Sequence, residues 1–317
     1  MGSVGARLLV ASRVWSATTW GLFAVVAIVW GLNYIFVNVG LAVSGPLWLA
    51  TLRAAFGLAG SAAILAVVGR PTKLDRRGRR DAFLIGMPNI TLFFAFWFLA
   101  AGTILPGVAA VMIYTYPLWV AILSAPVLSH ALTARHWASV AVGFAGVVLV
   151  SQVGSFTGAP LAVVPIVELL IAAFAWALAT VVIQRRFRGE EMLEANVYQL
   201  VGGAVGLLVL TLVLTPTALP VVTRPELWVS VLWLGVLGTA VAYSIWFHLL
   251  GRTRAATLSA YLFLVPVVAM TASAVVFRER LSYLQLVGVA FVLASIYGIG
   301  RAPGGSDLSA TGDPTSP

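Results

Sequence analysis

The stretch Leu105–Leu128, LPGVAAVMIYTYPLWVAILSAPVL, indicates the fold class, because it is 24 residues of apolar sequence without a charged side chain. As a helix, about 20 such residues cross the hydrocarbon core of a bilayer. Over the whole chain 61% of residues are hydrophobic, 9% are charged and the mean hydropathy is +1.02. Soluble domains are roughly half apolar and a quarter charged. The composition therefore excludes a water-soluble fold and predicts an all-α polytopic membrane protein.

Ten stretches of this kind predict ten transmembrane helices joined by short connections. We expect residues 1–19 to be a cytoplasmic N-terminus, 20–153 a first group of five helices and 161–300 a second group. The segment 301–317 is rich in Gly, Ser, Pro and Asp, which is typical of a disordered tail. The predicted spans are Trp20–Leu41, Pro46–Gly69, Asp81–Ala101, Leu105–Leu128, Arg135–Val153, Leu161–Gln184, Ala195–Thr215, Leu227–Leu250, Ala255–Phe277 and Ser282–Gly300.

The positions of Lys and Arg predict the orientation in the membrane. Of the 19 basic residues, 15 fall in connections on the same side as the N-terminus. Arg224, Arg278 and Arg280 fall on the other side, and Arg53 lies within a span. Since cytoplasmic loops carry the excess of Lys and Arg, we expect both termini in the cytoplasm and the protein in the inner or plasma membrane.

An internal repeat relates the two groups of helices. A shift of 149 positions aligns Gly86 with Gly235, the pair Trp97-Phe98 with Trp246-Phe247, and Pro117 with Pro266. Five spans, an odd number, separate the aligned segments, so the two copies must cross the membrane in opposite directions. Inverted repeats of this kind are typical of secondary transporters, in which the substrate site lies near the bilayer midplane.

Several short motifs resemble those of the EamA type of the drug/metabolite transporter superfamily. They are Trp30-Gly31, Tyr114–Leu118, Leu237–Ala240, Trp246-Phe247 and the acidic signature at Phe277–Ser282. In the first repeat His130 replaces the acidic residue of that signature. The resemblance implies two inverted five-helix repeats. It also implies gradient-driven transport of amino acids, related metabolites or drug-like compounds.

Two charged residues are predicted at membrane depth, where a charge costs roughly 2.5–3.5 kcal/mol. Arg53 and Glu168 each lie eight residues into a span that enters from outside. Arg53 could attract a carboxylate of the substrate, and Glu168 could bind an amine or carry a coupling proton. A structural ion pair between them, or Arg53 bonded to backbone carbonyls, is the alternative.

Polar and aromatic side chains in the spans are the further candidates for substrate binding. Thr239, Tyr243 and Trp246 recur at i, i+4 and i+7, so they share one helix face. Aromatic residues in membrane helices mostly pack against neighbours or lie at the interface, which is the alternative interpretation. The predicted substrate-binding residues are Asn33, Asn89, Tyr114, Glu168, Trp176, Tyr243, Trp246 and Tyr261.

Proline and glycine positions predict mechanical features. Pro117 and Pro266 interrupt helical hydrogen bonding at equivalent places, and either hinges or static kinks would result. Gly202, Gly203 and Gly206 form a close-packing face in the seventh span. Such a face indicates helix contact or dimerisation, so both a monomer and a homodimer remain open.

Several function classes lack support in the sequence. There is no phosphate-binding loop for an ATP-driven pump, no cysteine, and no metal-ligand spacing among His130, His136 and His248. The net charge is +9, and the basic residues that carry it lie in short loops between apolar spans and form no basic face. Nucleic acid is therefore not an expected partner.

The sequence favours a secondary exporter of small zwitterionic or aromatic metabolites, with coupling to protons as a hypothesis and no cofactor. A nucleotide-sugar carrier is an alternative, although such a carrier would require a more basic cavity than Arg53 alone provides. An intramembrane enzyme is disfavoured, because Glu168 has no evident acidic partner at membrane depth. A non-transporting scaffold is the remaining alternative.

Overall fold

In the computed structural model, the described residues are 16–68, 74–104, 106–128, 132–150, 163–217, 219–277 and 282–300. The predicted tail, residues 1–15 and His130 lie outside them. Within these ranges the chain forms ten successive helical segments, labelled α1 to α10. They are α1 Ala17–Leu41, α2 Pro46–Val68, α3 Arg76–Ala101, α4 (Pro106–Ile113 and Tyr116–Leu128), α5 Ala134–Val150, α6 Val163–Arg186, α7 Glu191–Leu214, α8 Pro225–Leu250, α9 (Ala255–Tyr261 and Leu264–Phe277) and α10 Tyr283–Gly300.

Eight of these helices are long and apolar enough to cross a membrane, as judged over the described residues. The exceptions are α5 and α10, whose apolar parts, Ala134–Val150 and Tyr283–Ile299, are shorter. At about 1.5 Å per residue the 17 residues of α5 span about 26 Å, slightly less than a typical hydrocarbon core. The chain is thus a multi-pass helical membrane protein, and the count of ten spans stays a prediction.

Local sequence explains where two of the helices begin. Before α1 the side chain of Ser16 accepts a hydrogen bond from the backbone N–H of Thr19 (3.2 Å). Before α3 the carboxylate of Asp75 accepts one from the N–H of Gly78 (2.7 Å). Both side chains satisfy N–H groups that the first turn of a helix leaves free.

Helices α4 and α9, which the sequence predicted as continuous, are each broken near the middle. The breaks lie at Tyr114-Thr115 and at Leu262-Phe263, just before Pro117 and Pro266. Around both breaks some backbone N–H groups donate to the carbonyl three residues earlier, so the regular α-helical pattern is interrupted. Proline has no N–H to donate to the carbonyl four residues earlier, so the repeat-related prolines produce repeat-related breaks.

Helices α3 and α8 each contain a π-helical segment, Met87–Leu92 and Leu232–Val241. A shift of 149 residues carries the first segment onto 236–241, within the second. The hydroxyl of Thr239 donates to the carbonyl of Leu234 inside the second segment (2.9 Å). π-helical turns are rare and frequently occur at functional sites. Their equivalent positions make these two segments a property of the repeat.

The packing between helices follows the same repeat. Helix α1 packs against α8 and α9, and its counterpart α6 packs against α3 and α4. Helix α2 packs against α8, its counterpart α7 packs against α3, and α5 packs against α10. Exchanging the two halves reproduces this pattern, as a two-fold axis between them would. Much of the core is therefore an interface between the halves.

Close approaches of glycine show that the second helices of the two halves, α2 and α7, match with a shift of 146, not 149. A Cβ added to Gly86 would overlap the carbonyl oxygen of Gln199, and one added to Gly235 would lie 3.2 Å from the carbonyl oxygen of Arg53. Gly86 and Gly235 are equivalent under the shift of 149. Arg53 and Gln199, 146 residues apart, therefore occupy equivalent places.

The shift of 146 also pairs Trp30 in α1 with Trp176 in α6. The second half has three more residues between its second and third helices than the first half has. The shift of 149 aligns the later helices of the two halves. It does not align Trp30 with Trp176, because these two residues are 146 positions apart. The equivalence is visible only after the helices are packed.

Candidate substrate site between the two halves

A connected group of aromatic side chains from five helices lies where the halves meet, and we call it the aromatic cluster. Within the described part of the chain each ring lies within 6.4 Å, centroid to centroid, of at least one other member. Its members are Trp30 and Tyr34 of α1, Phe93, Phe94, Trp97 and Phe98 of α3, Tyr116 of α4, Trp176 of α6, and Tyr243, Trp246 and Phe247 of α8.

The repeat-equivalent tryptophans lie at the centre of the aromatic cluster. The rings of Trp30 and Trp176 meet edge to face, with centroids 5.6 Å apart. The indole N–H of Trp30 donates to the carbonyl of Gly238 in the π-helical segment of α8 (3.0 Å). Trp176 stacks on Tyr116 at 3.8 Å, and the hydroxyl of Tyr116 is hydrogen-bonded to that of Thr180 (3.0 Å). Trp30 is not among the predicted site residues, because the shift of 146 that relates it to Trp176 becomes evident only from the packed helices.

Three predicted site residues, Trp176, Tyr243 and Trp246, are brought together in the aromatic cluster. The centroids of Tyr243 and Trp246 lie 5.6 and 5.5 Å from that of Trp30. Tyr114 lies at the break in α4, where its side chain interacts with that of Tyr34, a member of the cluster.

Tyr261, also predicted, lies in a different aromatic group. Its ring packs against those of Trp20 and Phe23 of α1, with centroids 5.2 and 5.9 Å away. The structure therefore does not bring Tyr261 into the aromatic cluster.

Asn33 lies one turn after Trp30 on α1 and is 2% exposed. Its side-chain oxygen accepts a hydrogen bond from the indole N–H of Trp233 (3.2 Å). The same oxygen lies 2.7 Å from the position that a Cβ on Gly238 would take. Asn33 is thus held against the π-helical segment of α8.

Asn89 belongs to three buried amides between α3 and α7, which we call the amide chain. Its NH₂ group donates to the side-chain oxygen of Gln199, whose own NH₂ donates to the side-chain oxygen of Asn196 (2.9 Å). The oxygen of Asn89 and the NH₂ of Asn196 have no hydrogen-bond partner. Reversing all three amide groups would leave a donor at one end and an acceptor at the other. Either assignment therefore leaves two buried polar groups available to a small polar molecule.

Arg53, on α2, is 2% exposed and contacts helices of both halves. Its Nε donates to the hydroxyl of Thr239 in α8 (3.0 Å). The guanidinium carbon lies over the rings of Phe94 (4.1 Å) and Trp97 (5.1 Å) of α3. Its Nη1 is buried without a hydrogen-bond partner. Among the described contacts, Arg53 is therefore held by a hydroxyl and by cation–π contacts, and none of them is with the backbone carbonyls considered above.

Glu168 is partly exposed near the beginning of α6. It is not an ion-pair partner of Arg53 among the described residues. The ion pair that the sequence left open between them is therefore absent from this conformation.

Charged side chains join helices at the end of the bundle where α3 and α7 begin and α6 ends. The carboxylate of Glu194 accepts a hydrogen bond from the N–H of Leu74 (2.9 Å) and lies 3.7 Å from Arg79. Asp81 binds Arg186 at 2.8 Å. These contacts tie α3 to both α6 and α7 across the interface between the halves.

The glycines of α7 pack within the chain. A Cβ on Gly202, Gly203 or Gly206 would overlap Phe83, Ile90 or Thr91 of α3, respectively. Of the two interpretations offered by the sequence, the structure thus supplies the intramolecular helix contact for this face.

Comparisons with known proteins agree with this architecture. A model of the EamA-like transporter family matches residues 18–152 and 164–301. The chain is 27% identical over 286 residues to a "Probable amino-acid metabolite efflux pump" of Escherichia coli (strain K12), covering 87% of this chain and 92% of the relative. It is 30% identical over 272 residues to "Protein PecM" of Dickeya dadantii (strain 3937), covering 84% and 87%.

Two further similarities are to an uncharacterised transporter, by sequence, and to a solved structure, by fold. The chain is 26% identical over 276 residues to "Uncharacterized transporter YvbV" of Bacillus subtilis (strain 168), covering 87% of this chain and 89% of the relative. A crystal structure with 20% sequence identity superposes with a TM-score of 0.74, over 90% of this chain and 96% of that chain. At that identity the superposition establishes the fold alone.

Proposed function

The chain belongs to the EamA-like transporter family, and on that premise we propose that it is a secondary active transporter. Its substrates are small amino-acid-related or aromatic metabolites, which it exports by alternating access. The family and the names of the relatives indicate transport rather than catalysis. The relatives named above come from bacteria, which favours the plasma membrane as the location.

The observation that carries this proposal is the aromatic cluster. It contains repeat-equivalent tryptophans, Trp30 and Trp176, from opposite halves. Inverted-repeat transporters bind substrate at the interface of their halves near the midplane. Aromatic faces there suit a planar or cationic group, and Asn33 and the amide chain add polar groups nearby. We assign substrate binding to this cluster, with Trp30 added to Trp176, Tyr243 and Trp246.

The breaks in α4 and α9 support alternating access. Discontinuous helices recur at the sites of such transporters, because irregular backbone is tolerated where it lines a cavity. Pro117 and Pro266 lie just after the breaks in both halves. We assign them as hinges about which the halves exchange access.

The charged end of the bundle supports the predicted orientation. Asp81, Arg186 and Glu194 cluster where α3 and α7 begin. Most Lys and Arg of the chain lie in or next to the connections that the sequence places on this side. By the positive-inside rule this end faces the cytoplasm. Both termini then lie in the cytoplasm as well.

Counterflow into proteoliposomes tests the function. Vesicles preloaded with one compound are given the labelled form outside, for a panel of amino acids, aromatic metabolites, quaternary amines and nucleotide sugars. We expect exchange of amino-acid-related or aromatic compounds. Trp176→Leu should abolish most of this exchange, whereas Phe291→Leu, at an exposed position of α10, should leave it intact.

Outcomes of the panel separate the alternatives. If folded protein exchanges no compound, the transporter proposal fails. Exchange of nucleotide sugars alone would favour the nucleotide-sugar carrier. That alternative is less supported, because such a carrier needs a more basic cavity than the single charge of Arg53 beside the aromatic cluster provides. If Trp176→Leu and Phe291→Leu behave alike, the site lies elsewhere.

Glu168 is the proposed carrier of a coupling proton. Its partial exposure near the beginning of α6 would let it exchange protons with one side of the membrane. Glu168→Gln should abolish accumulation driven by a pH gradient while leaving counterflow. Unchanged gradient-driven accumulation would remove Glu168 from the coupling mechanism.

A further inference from the structure

Arg53 carries a buried positive charge that no acidic side chain among the described residues pairs. Seven acidic residues lie in the described ranges, and none forms a salt bridge with Arg53. Six of them are at the ends of helices: Asp75, Asp81, Glu190, Glu191, Glu194 and Glu226. The seventh is Glu168, near the beginning of α6. The neighbours of the guanidinium are instead a hydroxyl and three aromatic rings, and its Nη1 is unpartnered.

The helix packing does not require this charge. The equivalent place in the other half is occupied by Gln199, whose carbonyl approaches Gly86 as that of Arg53 approaches Gly235. A neutral side chain of similar length therefore fits the same backbone contact. The guanidinium is a feature that one half has and the other lacks.

The charge lies at the edge of the aromatic cluster. All three rings near the guanidinium, Phe94, Trp97 and Phe98, are members of it. Trp97 stacks on Phe93 (5.9 Å), which contacts Trp176 (5.0 Å). If the aromatic ring of a bound molecule replaced one of these ring–ring contacts, a polar group at the other end of that molecule would lie toward Nη1 of Arg53. Arg53 is buried in this conformation, so such a molecule reaches it when α2 and α3 move apart.

We propose that the preferred substrate is a monocarboxylate with an aromatic or apolar body and without a free ammonium group. Aromatic 2-oxo acids, aryl-alkanoates and N-acylated amino acids belong to this class. The carboxylate would neutralise Arg53 and fill the bonding capacity of Nη1. A zwitterion would bring an ammonium group beside an existing cation, where the cluster holds no carboxylate to receive it. This inference rests on the proposed function and narrows its substrate class.

Three compounds that share a phenylethyl unit test the charge preference. They are 3-phenylpropanoate, which has only the carboxylate, phenylalanine, which has both groups, and 2-phenylethylamine, which has only the amine. Counterflow is measured at pH 7.5, and uptake by protein-free vesicles is subtracted. We expect 3-phenylpropanoate to exchange at least about tenfold faster than either other compound at equal concentration, as for a site with an unpaired charge.

Variants assign the preference to Arg53. Arg53→Gln copies the residue at the equivalent place and should reduce exchange of 3-phenylpropanoate by about tenfold or more. It should not reduce exchange of 2-phenylethylamine. Arg53→Lys keeps the charge and should keep the preference for the acid. A comparison of 3-phenylpropanoate with uncharged 3-phenylpropanamide on the wild-type protein gives the same information without a variant.

The inference is overturned if phenylalanine exchanges as fast as 3-phenylpropanoate, if the amide exchanges as fast as the acid, or if Arg53→Gln leaves the acid rate unchanged. Each of these results leaves the transport proposal standing, since exchange is still observed. If folded wild-type protein exchanges none of these compounds or of the wider panel, the proposed function fails as well.

Discussion

Helix α2 meets α8, and helix α7 meets α3, through the same backbone geometry with different polar groups. In both interfaces a glycine of the third helix of one half, Gly235 or Gly86, faces a carbonyl of the second helix of the other. At the first interface that carbonyl belongs to Arg53, whose side chain bonds Thr239. At the second it belongs to Gln199, whose side chain bonds Asn89.

The comparison separates what the repeat imposes from what each half has added. Close approach of the helices requires glycine at both interfaces, since a side chain would overlap the opposing helix. The polar side chains are not constrained in this way, so one interface holds a charge and the other holds neutral amides. The shared geometry supports the fold, and the difference gives the two sides of the candidate site unlike chemistry.

The largest expected effect tests how tightly each interface is closed. Gly86→Ala places a Cβ against backbone atoms of α7, including the nitrogen of Gly203 at 2.8 Å. Gly235→Ala meets mainly the Cβ of Phe56 at 2.6 Å. We expect Gly86→Ala to lower the free energy of unfolding by about 3 kcal/mol and Gly235→Ala by about 1 kcal/mol, measured by unfolding of the purified protein in detergent.

Gly21→Ala is the control for these two variants, because a Cβ there meets nothing within 4 Å. It should change the free energy of unfolding by less than about 0.5 kcal/mol. Equal losses from Gly86→Ala and Gly235→Ala would show that the two interfaces are equally tight, contrary to the comparison.

The next effect concerns the amide chain, which the α2–α8 interface lacks. Asn89→Ala leaves the side-chain oxygen of Gln199 without its donor, and we expect a loss of about 2 kcal/mol. Replacing both partners, Asn89→Ala with Gln199→Leu, should cost less than the sum of the two single changes. Unfolding of all four proteins in detergent gives this coupling energy. Strict additivity would mean that the amides do not act as a connected chain.

A smaller effect is expected at the hydroxyl that binds Arg53. Thr239→Val removes the acceptor for Arg53 Nε and the donor to the carbonyl of Leu234, and should lower stability by about 1.5 kcal/mol. The same change should cost less in an Arg53→Gln background, because part of the loss comes from the unpaired guanidinium. If the cost is the same in both backgrounds, the Thr239 hydroxyl acts on α8 alone.

The smallest effect distinguishes the two central tryptophans. Trp30→Phe removes a hydrogen bond to Gly238, the residue equivalent to Asn89, whereas the described contacts of Trp176 are with other rings. Relative to Trp176→Phe, we expect Trp30→Phe to lose about 1 kcal/mol more. A reversed order in detergent unfolding would contradict the assignment of this bond.

Much of the architecture was predictable. Long apolar runs interrupted by basic loops predicted a helical membrane protein, and the motifs around Tyr114–Leu118 and Trp246-Phe247 indicated the family that the comparisons bear out. Eight helices are long enough to span, and the count of ten remains a prediction because α5 and α10 are shorter. Pro117 and Pro266 predicted hinges or kinks in α4 and α9. That each helix would divide into two separate segments was not predicted.

The site was predicted less completely. Trp176, Tyr243 and Trp246 were selected and lie together, whereas Tyr261 lies in another aromatic group and Trp30 was not selected. These helices are apolar on most sides, so periodicity does not fix which face of each helix points inward. The three-residue difference between the halves also hid the equivalence of Trp30 and Trp176 from a search with one shift.

The sequence by itself determined the membrane class, the helical fold and the family, because these follow from composition, run length and local motifs. Only the tertiary structure decided the partners of Arg53, which are Thr239, 186 residues away, and the rings of α3, and not Glu168. It likewise decided that Asn89 bonds Gln199 across 110 residues. Such pairings depend on how far each helix is rotated and shifted against its neighbours. The side chains concerned are buried only when the two halves are packed together, and burial is what makes an unpaired polar group costly.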